Sequence, residues 1–182
     1  MCSSDLFPSH DKEGEWEEKV YNPSVILDGS TYKMWYDGGD AVGYATSADG
    51  ITWEKHEEPV LTGSAGAWDE GGVSSSTVIL EGETYKMWYS GIGASDYAIG
   101  YATSADGITW EKHEEPVLEK EGEWDEYGVF GPSVLYNGEE YEMWYSGIGA
   151  SDYAIGYATS ADGIVWEKHE GPVLEKEGGW VS

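Results

Sequence analysis

The feature that most constrains this chain is internal repetition. Residues Met87 to Leu118 return as Met143 to Leu174 with two changes, Thr109 to Val165 and Glu115 to Gly171. A looser copy runs from Met34 to Leu61, and Trp53, Trp110 and Trp166 hold the same place in each copy. A period of roughly 56 residues is too long for helical-pair repeats and suits a four-stranded propeller blade.

Each copy carries the same succession of short strand-like runs. In the second these are Thr77 to Leu80, Tyr85 to Tyr89, Ala98 to Thr103 and Ile108 to Lys112, separated by Glu81-Gly82, a Gly-rich loop and Asp106-Gly107. Asp-Gly at 49–50, 106–107 and 162–163 is a strong hairpin signal, because glycine accepts the positive φ such turns demand. The predicted fold class is all-β: a β-propeller of four-stranded antiparallel blades, three per chain. Blade 1 is expected over 13–67, blade 2 over 68–123, and blade 3 over 124–182 together with the start of a fourth repeat. Residues 1–12 match no repeat and read as a disordered leader.

Along Tyr85-Lys86-Met87-Trp88-Tyr89 the side chains alternate, sending Tyr85, Met87 and Tyr89 one way and Lys86 and Trp88 the other. Both faces of a blade meet neighbours, so Trp35, Trp88 and Trp144 are expected between blades. His56, His113 and His169 lack a second histidine at ligand spacing and read as surface residues.

With 36 acidic against 9 basic residues the net charge is −27. That excludes a nucleic-acid partner, which needs clustered cations, and an anionic membrane would repel the chain as well. Cys2 is the only cysteine, so neither a disulfide framework nor a thiolate metal cluster is expected. No apolar run reaches membrane-spanning length and the first residues do not form a signal peptide.

In a propeller, the loops from outer to next inner strand and from second to third strand emerge around the central channel. The first class contains Trp16-Glu17-Glu18, Trp68-Asp69-Glu70 and Trp124-Asp125-Glu126; the second contains Asp37 and Asp40, then Asp96 with Tyr97 and Asp152 with Tyr153. Carboxylates beside aromatic faces suit a neutral glycan, whose hydroxyls need acceptors and whose apolar ring face stacks. Calcium is only weakly indicated, since no dense Asp-x-Asp-x-Asp loop is present, and no other cofactor or metal is expected. Three blades leave two aromatic faces open, so either two chains join as a homodimer of six blades or the chain is part of a longer enzyme.

The runs Asn22-Pro23-Ser24-Val25, Tyr32-Lys33-Met34-Trp35-Tyr36 and Gly43-Tyr44-Ala45-Thr46-Ser47, with Asp49-Gly50 and Trp53, resemble blades of the five-bladed propeller glycoside hydrolases, the arabinanase, β-xylosidase, invertase and mannoside-phosphorylase group. The resemblance covers nearly all of residues 13–180. It implies acidic residues on the inner strands, one protonated and one ionised across the sugar ring. The implied Asp-Pro-Ser-Val is here Asn22-Pro23-Ser24-Val25, the implied Glu-Gly-Pro is Phe130-Gly131-Pro132, and the second copy has Ser75-Ser76-Thr77. An amide cannot ionise and a phenyl ring cannot donate a proton. The expectation is therefore a lectin-like glycan binder using Asn22 and the rim residues Trp16, Glu17, Trp68, Asp69, Glu70, Asp96, Tyr97, Trp124, Asp125, Glu126, Asp152 and Tyr153. Two alternatives remain: a glycoside hydrolase with Asp69 or Asp125 as base and Glu70, Glu126 or Asp152 as acid, or an assembly protein or fragment with no ligand.

Overall fold

A computed structural model describes residues 16–17, 19–94, 96–150 and 152–176. The expected leader over 1–12, Glu18 and the start of a further repeat beyond residue 176 lie outside the described residues. Three antiparallel meanders follow one another. The first is β1 (Tyr21–Asp28), β2 (Thr31–Asp37), β3 (Ala41–Ser47) and β4 (Glu54–Lys55), with β5 (Leu61–Thr62) returning to β3. The second is β6 (Gly72–Glu81), β7 (Thr84–Ile92), β8 (Tyr97–Ser104) and β9 (Glu111–Lys112). After a short 3-10 turn at Glu123–Asp125 come β10 (Gly128–Tyr136), β11 (Tyr141–Ile148), β12 (Tyr153–Ser160) and β13 (Glu167–Lys168).

The fourth strand of each meander has only two residues, because the preceding turn consumes the chain. Asp106 Oδ1 accepts the backbone N–H groups of Ile108 and Thr109 at 2.8 and 2.7 Å, and Ser104 Oγ accepts that of Gly107 at 2.8 Å. Asp49 and Asp162 build the same turn. The chain then folds back on the third strand a second time, pairing Val42 with Leu61, Ile99 with Leu118 and Ile155 with Leu174. This return, carried by the repeated Pro-Val-Leu, was not legible as a strand.

The alternation along the second strands sets the core. Tyr85, Met87 and Tyr89 pack with Trp35, Val42 and Val78 between the first and second meanders, while Trp88 packs with Tyr101, Val134 and Tyr141 between the second and third. Trp35 and Trp88 are fully buried and donate their indole N–H to Gly107 and Gly163 carbonyls of the next meander, each at 2.8 Å. Glycine is required at that turn twice over. Gly107 has φ +80°, and a Cβ there would lie 2.9 Å from Trp35 Cζ2. First strands of successive meanders abut, Val78 N–H donating to Ser24 Oγ at 3.0 Å and Thr77 Oγ1 to the Pro132 carbonyl. They therefore surround the propeller axis, as inner strands do.

Candidate functional site

The inner strands break register at one shared place. The breaks fall between Tyr21 and Ser24, Ser74 and Thr77, and Phe130 and Ser133, and their extra residues Asn22, Ser75 and Gly131 take φ of +48°, +49° and +62°. A left-handed residue in a bulge turns its N–H out of the ladder. Two of the freed N–H groups are taken by the preceding meander: Ser75 N–H reaches both Asp37 oxygens at 2.8 and 2.9 Å, and Gly131 N–H reaches Ser90 Oγ at 2.8 Å. Asn22 donates from Nδ2 to Asp37 Oδ2 at 2.9 Å and to Ser75 Oγ at 3.0 Å. Asp37 is fully buried, and burial pushes its carboxyl above the usual range against the pull of the Ser75 N–H and the Asn22 amide. The Asn22 and Asp37 positions thus serve a junction between blades.

The Trp-Asp-Glu loops are corrected most. Trp16, Trp68 and Trp124 lie over glycines rather than standing out as stacking platforms. Trp16 covers Gly38 and Gly43, Trp68 covers Gly91, and Trp124 covers Gly147 and Gly156, with Tyr36, Tyr89 and Tyr145 beneath at ring separations of 6.4, 6.0 and 5.9 Å. Asp69 and Asp125 are not available as bases. Asp69 is buried, accepts the Ser64 N–H at 3.0 Å and the Tyr89 hydroxyl at 3.3 Å, and pairs with Lys112 at 2.6 Å. Asp125 is equally buried, accepts from the Glu121 and Gly122 N–H groups at 3.0 and 2.6 Å, and pairs with Lys168 at 3.1 Å. A carboxylate engaged in this way by backbone N–H groups and an ion pair braces a loop. Glu17 is likewise paired, with Lys55 at 2.7 Å, and Glu70 accepts the Gly66 N–H at 3.2 Å. The repeated histidines close local turns, Nδ1 of His56 and His113 lying 2.9 Å from the carbonyls two residues on.

Four expected residues do converge. Trp124, Glu126, Asp152 and Tyr153, with Glu175 and Lys176, line a cleft of about 520 Å³ on the third meander. That volume is within the range of small-ligand sites. Tyr153 is 65% exposed; Phe130 meets it edge-on at 6.1 Å and lies tilted against Tyr97 at 6.0 Å, so the phenyl ring at the implied acid position fills the space between two tyrosines. Asp152 pairs with Lys176 at 3.5 Å, and its counterpart Asp96 pairs with Lys120 at 2.8 Å. Around Tyr97 the equivalent groove is closed, because Gly128 of β10 pairs with it. An exposed aromatic face rimmed by carboxylates is suited to a neutral polyhydroxylated ligand. Among the described residues, no group of three or more His, Cys, Asp or Glu side chains converges on a metal position. No helix among them is long and apolar enough to cross a membrane.

Comparison with known proteins agrees with this architecture. Residues 94–178 match the glycoside hydrolase family 130 model, described as β-1,4-mannooligosaccharide phosphorylase. The chain is 28% identical over 204 residues to a β-1,2-mannobiose phosphorylase of Thermoanaerobacter sp. (strain X514), covering 93% of this chain and 66% of that protein. In structure it is similar to Zg3597, a family 117 glycoside hydrolase of Zobellia galactanivorans, with a TM-score of 0.76 at 18% identity over 88% of this chain and 58% of the other. It is also similar to a family 130 structure associated with hydrolases targeting β-1,2 mannosidic linkages in Candida mannan, with a TM-score of 0.65 at 23% identity over 86% of this chain and 51% of the other. The chain therefore spans between half and two thirds of the length of these relatives. In fold, and in the repeated Met-Trp-Tyr and Gly-Tyr-Ala-Thr-Ser strands, the chain is similar to part of the five-bladed propeller glycoside hydrolases.

Proposed function

We propose that this chain acts on β-linked mannosides, binding them in the cleft beside Tyr153 and cleaving them with water rather than phosphate. The observation that carries this reading is that the family-matched segment, 94–178, contains the whole lining of the cleft. The preference for water follows from charge. Phosphorolysis needs cations free to hold a phosphate dianion, and the nine basic residues are all lysines. Of the eight lysines among the described residues, seven (Lys33, Lys55, Lys86, Lys112, Lys120, Lys168 and Lys176) already pair with a carboxylate. Glu126 and Asp152 flank the cleft and are the candidates for the protonated and ionised carboxyls that glycoside cleavage requires.

A second reading, binding without turnover, is favoured by one observation: Asn22 and Phe130 stand where the resemblance implies acids, and both are occupied in packing. One experiment separates the two. The chain is incubated with β-1,2- and β-1,4-mannobiose, with and without inorganic phosphate, and products and heat of binding are measured. Mannose release independent of phosphate, reduced about tenfold or more by Glu126→Gln and with KM raised by Tyr153→Ala, is expected. Mannose 1-phosphate formation would overturn the hydrolytic reading, binding without product would leave the second, and neither binding nor product would dismiss both.

A further inference from the structure

Asp37 is a buried carboxyl that its part in the blade junction does not require. Between the second and third meanders the bulge N–H of Gly131 is satisfied by Ser90 Oγ, a neutral group in the position of Asp37. Asp37 is fully buried, where ionisation is costly, so a serine would do that work with less. What the carboxylate does and a hydroxyl cannot is to accept only. Asp37 Oδ2 takes one hydrogen of the Asn22 amide at 2.9 Å, and Ser75 Oγ takes the other at 3.0 Å. With the amide reversed, its carbonyl oxygen would face the carboxylate and both contacts would be lost. The amide hydrogens are therefore held toward the second meander, and Asn22 Oδ1 is turned away from Asp37, with no donor among the described residues. Ser75 Oγ accepts from Asn22 and keeps its own hydrogen to give.

These groups do not sit on an uncovered blade face. Asn22 reaches forward across the junction between the first and second meanders, and Ser75 has a blade on either side yet remains partly exposed. What Ser75 faces is thus the channel that the inner strands surround. Its bulge reads Ser74-Ser75-Ser76 where the third meander has Phe130-Gly131-Pro132, and Ser76 Oγ is buried with no partner among the described residues. The second blade brings more hydrogen-bonding groups to this bulge than the junction uses.

We propose that Asn22 and Ser75 form a subsite on the channel wall for two neighbouring hydroxyl groups of a neutral sugar, and that Asp37 is its positioning residue. Asn22 Oδ1 accepts from one hydroxyl, and the Ser75 hydroxyl donates to the oxygen of the other. An acceptor beside a donor suits a sugar, whose hydroxyls do both, and neither group asks a counter-charge of its ligand. The subsite binds and orients; an amide cannot ionise, so no proton transfer falls to it. It shares no residue with the cleft beside Tyr153. The class of ligand rests on the mannoside reading, while the geometry would serve any neutral sugar ring with adjacent hydroxyls.

Two substitutions borrow from the chain's own copies. Asn22→Gly reproduces the run Gly131-Pro132-Ser133-Val134 and accepts the φ of +48°, and Asp37→Ser reproduces Ser90. Calorimetry with β-1,2-mannobiose, β-1,4-mannobiose and cellobiose, beside thermal melts of each variant, reads the outcome. For the sugar that the parent binds, Asn22→Gly should weaken affinity about tenfold and Asp37→Ser about fivefold, with both proteins folded. The double variant should bind no more weakly than Asn22→Gly, because without the amide Asp37 has nothing left to position. A purely structural Asp37 would instead give losses that multiply. Ser75→Gly keeps the N–H bonded to Asp37 and removes the donor, so its expected loss of about fivefold carries the test if Asn22→Gly does not fold. Affinity unchanged by these variants, or losses that multiply, overturns the subsite and leaves the mannoside reading standing. Binding of cellobiose alone, lost in the expected pattern, sustains the subsite and dismisses the mannoside reading. A parent that binds none of the three sugars overturns both.

Discussion

Gly147→Ala tests the revised role of Trp124. Gly147 is a buried residue of β11 with ordinary extended backbone, so alanine meets no φ penalty and should gain about 0.4–1 kcal/mol from a less flexible unfolded chain. The opposing effect is steric. The new Cβ would lie 2.6 Å from Trp124 Cε3, closer still to Cζ3, and 2.9 Å from Asp125 Cβ, where carbon atoms pack at about 3.5–4.0 Å. Tyr145 backs the indole and the Asp125–Lys168 pair anchors its neighbour, so the ring cannot swing away cheaply. Overpacking of about 3 kcal/mol against the entropic gain leaves a net loss of about 2–3 kcal/mol. Trp124→Ala should cost about 2–3 kcal/mol, below the range for fully buried tryptophan because the ring is half-exposed. In the double variant the methyl group enters space the indole vacated, so the cost should fall about 2 kcal/mol short of the sum. Urea unfolding at 25 °C followed by far-UV circular dichroism measures all four corners of the cycle. A Gly147→Ala protein as stable as the parent, or losses additive within about 0.5 kcal/mol, would refute the packing assignment and return Trp124 to the rim as a free ring.

Two further outcomes follow from the same structure. Asp37→Ser copies the arrangement that Ser90 already makes with Gly131; burial raises the Asp37 carboxyl in the folded state, so its stabilising contribution is greatest below the unfolded pKa and is lost as pH rises. Asp37→Ser should therefore match or exceed the parent in thermal stability at pH 7, with the difference vanishing near pH 3, while Asp37→Leu strands the Ser75 N–H and should cost about 1–3 kcal/mol. Asp49 and Asp106 titrate at about 2 because the backbone N–H groups of the following turn hold them ionised, and Asp162 is lowered in the same way. Their stabilisation is complete above the unfolded carboxylate pKa and is lost as pH falls toward 2, so Tm should drop between about pH 4 and pH 2, with a flatter drop in Asp106→Asn.

The convergence of four rim residues on one cleft was legible in the sequence. Trp124, Glu126, Asp152 and Tyr153 were placed together because two loop classes of a propeller share one rim, and the structure gathers them there. Asp69 and Asp125 were misread because a rim carboxylate and a bracing carboxylate are the same residue type in the same loop. The discriminating partners, Lys112 and Lys168, belong to the two-residue outer strands 43 positions along the chain. The one local signal was the Trp-Glu-Lys that ends each copy, whose lysine alternates inward. Phe130 likewise reads as a missing acid in sequence and as a wedge between Tyr97 and Tyr153 in space.

The sequence by itself determined the repeat, the hairpins and the two faces of each second strand, since these follow from contacts a few residues apart: Asp-Gly turns, and side chains alternating at every residue. Trp35 and Trp88 could be assigned to junctions on that ground alone. Only the tertiary structure decided which carboxylates are locked and which face the cleft, and how a left-handed bulge at Ser75 hands its N–H to the neighbouring blade. Those outcomes depend on groups roughly one repeat apart being brought within hydrogen-bonding distance. Near-identical copies give such groups the same local sequence whether or not a neighbour is there to meet them.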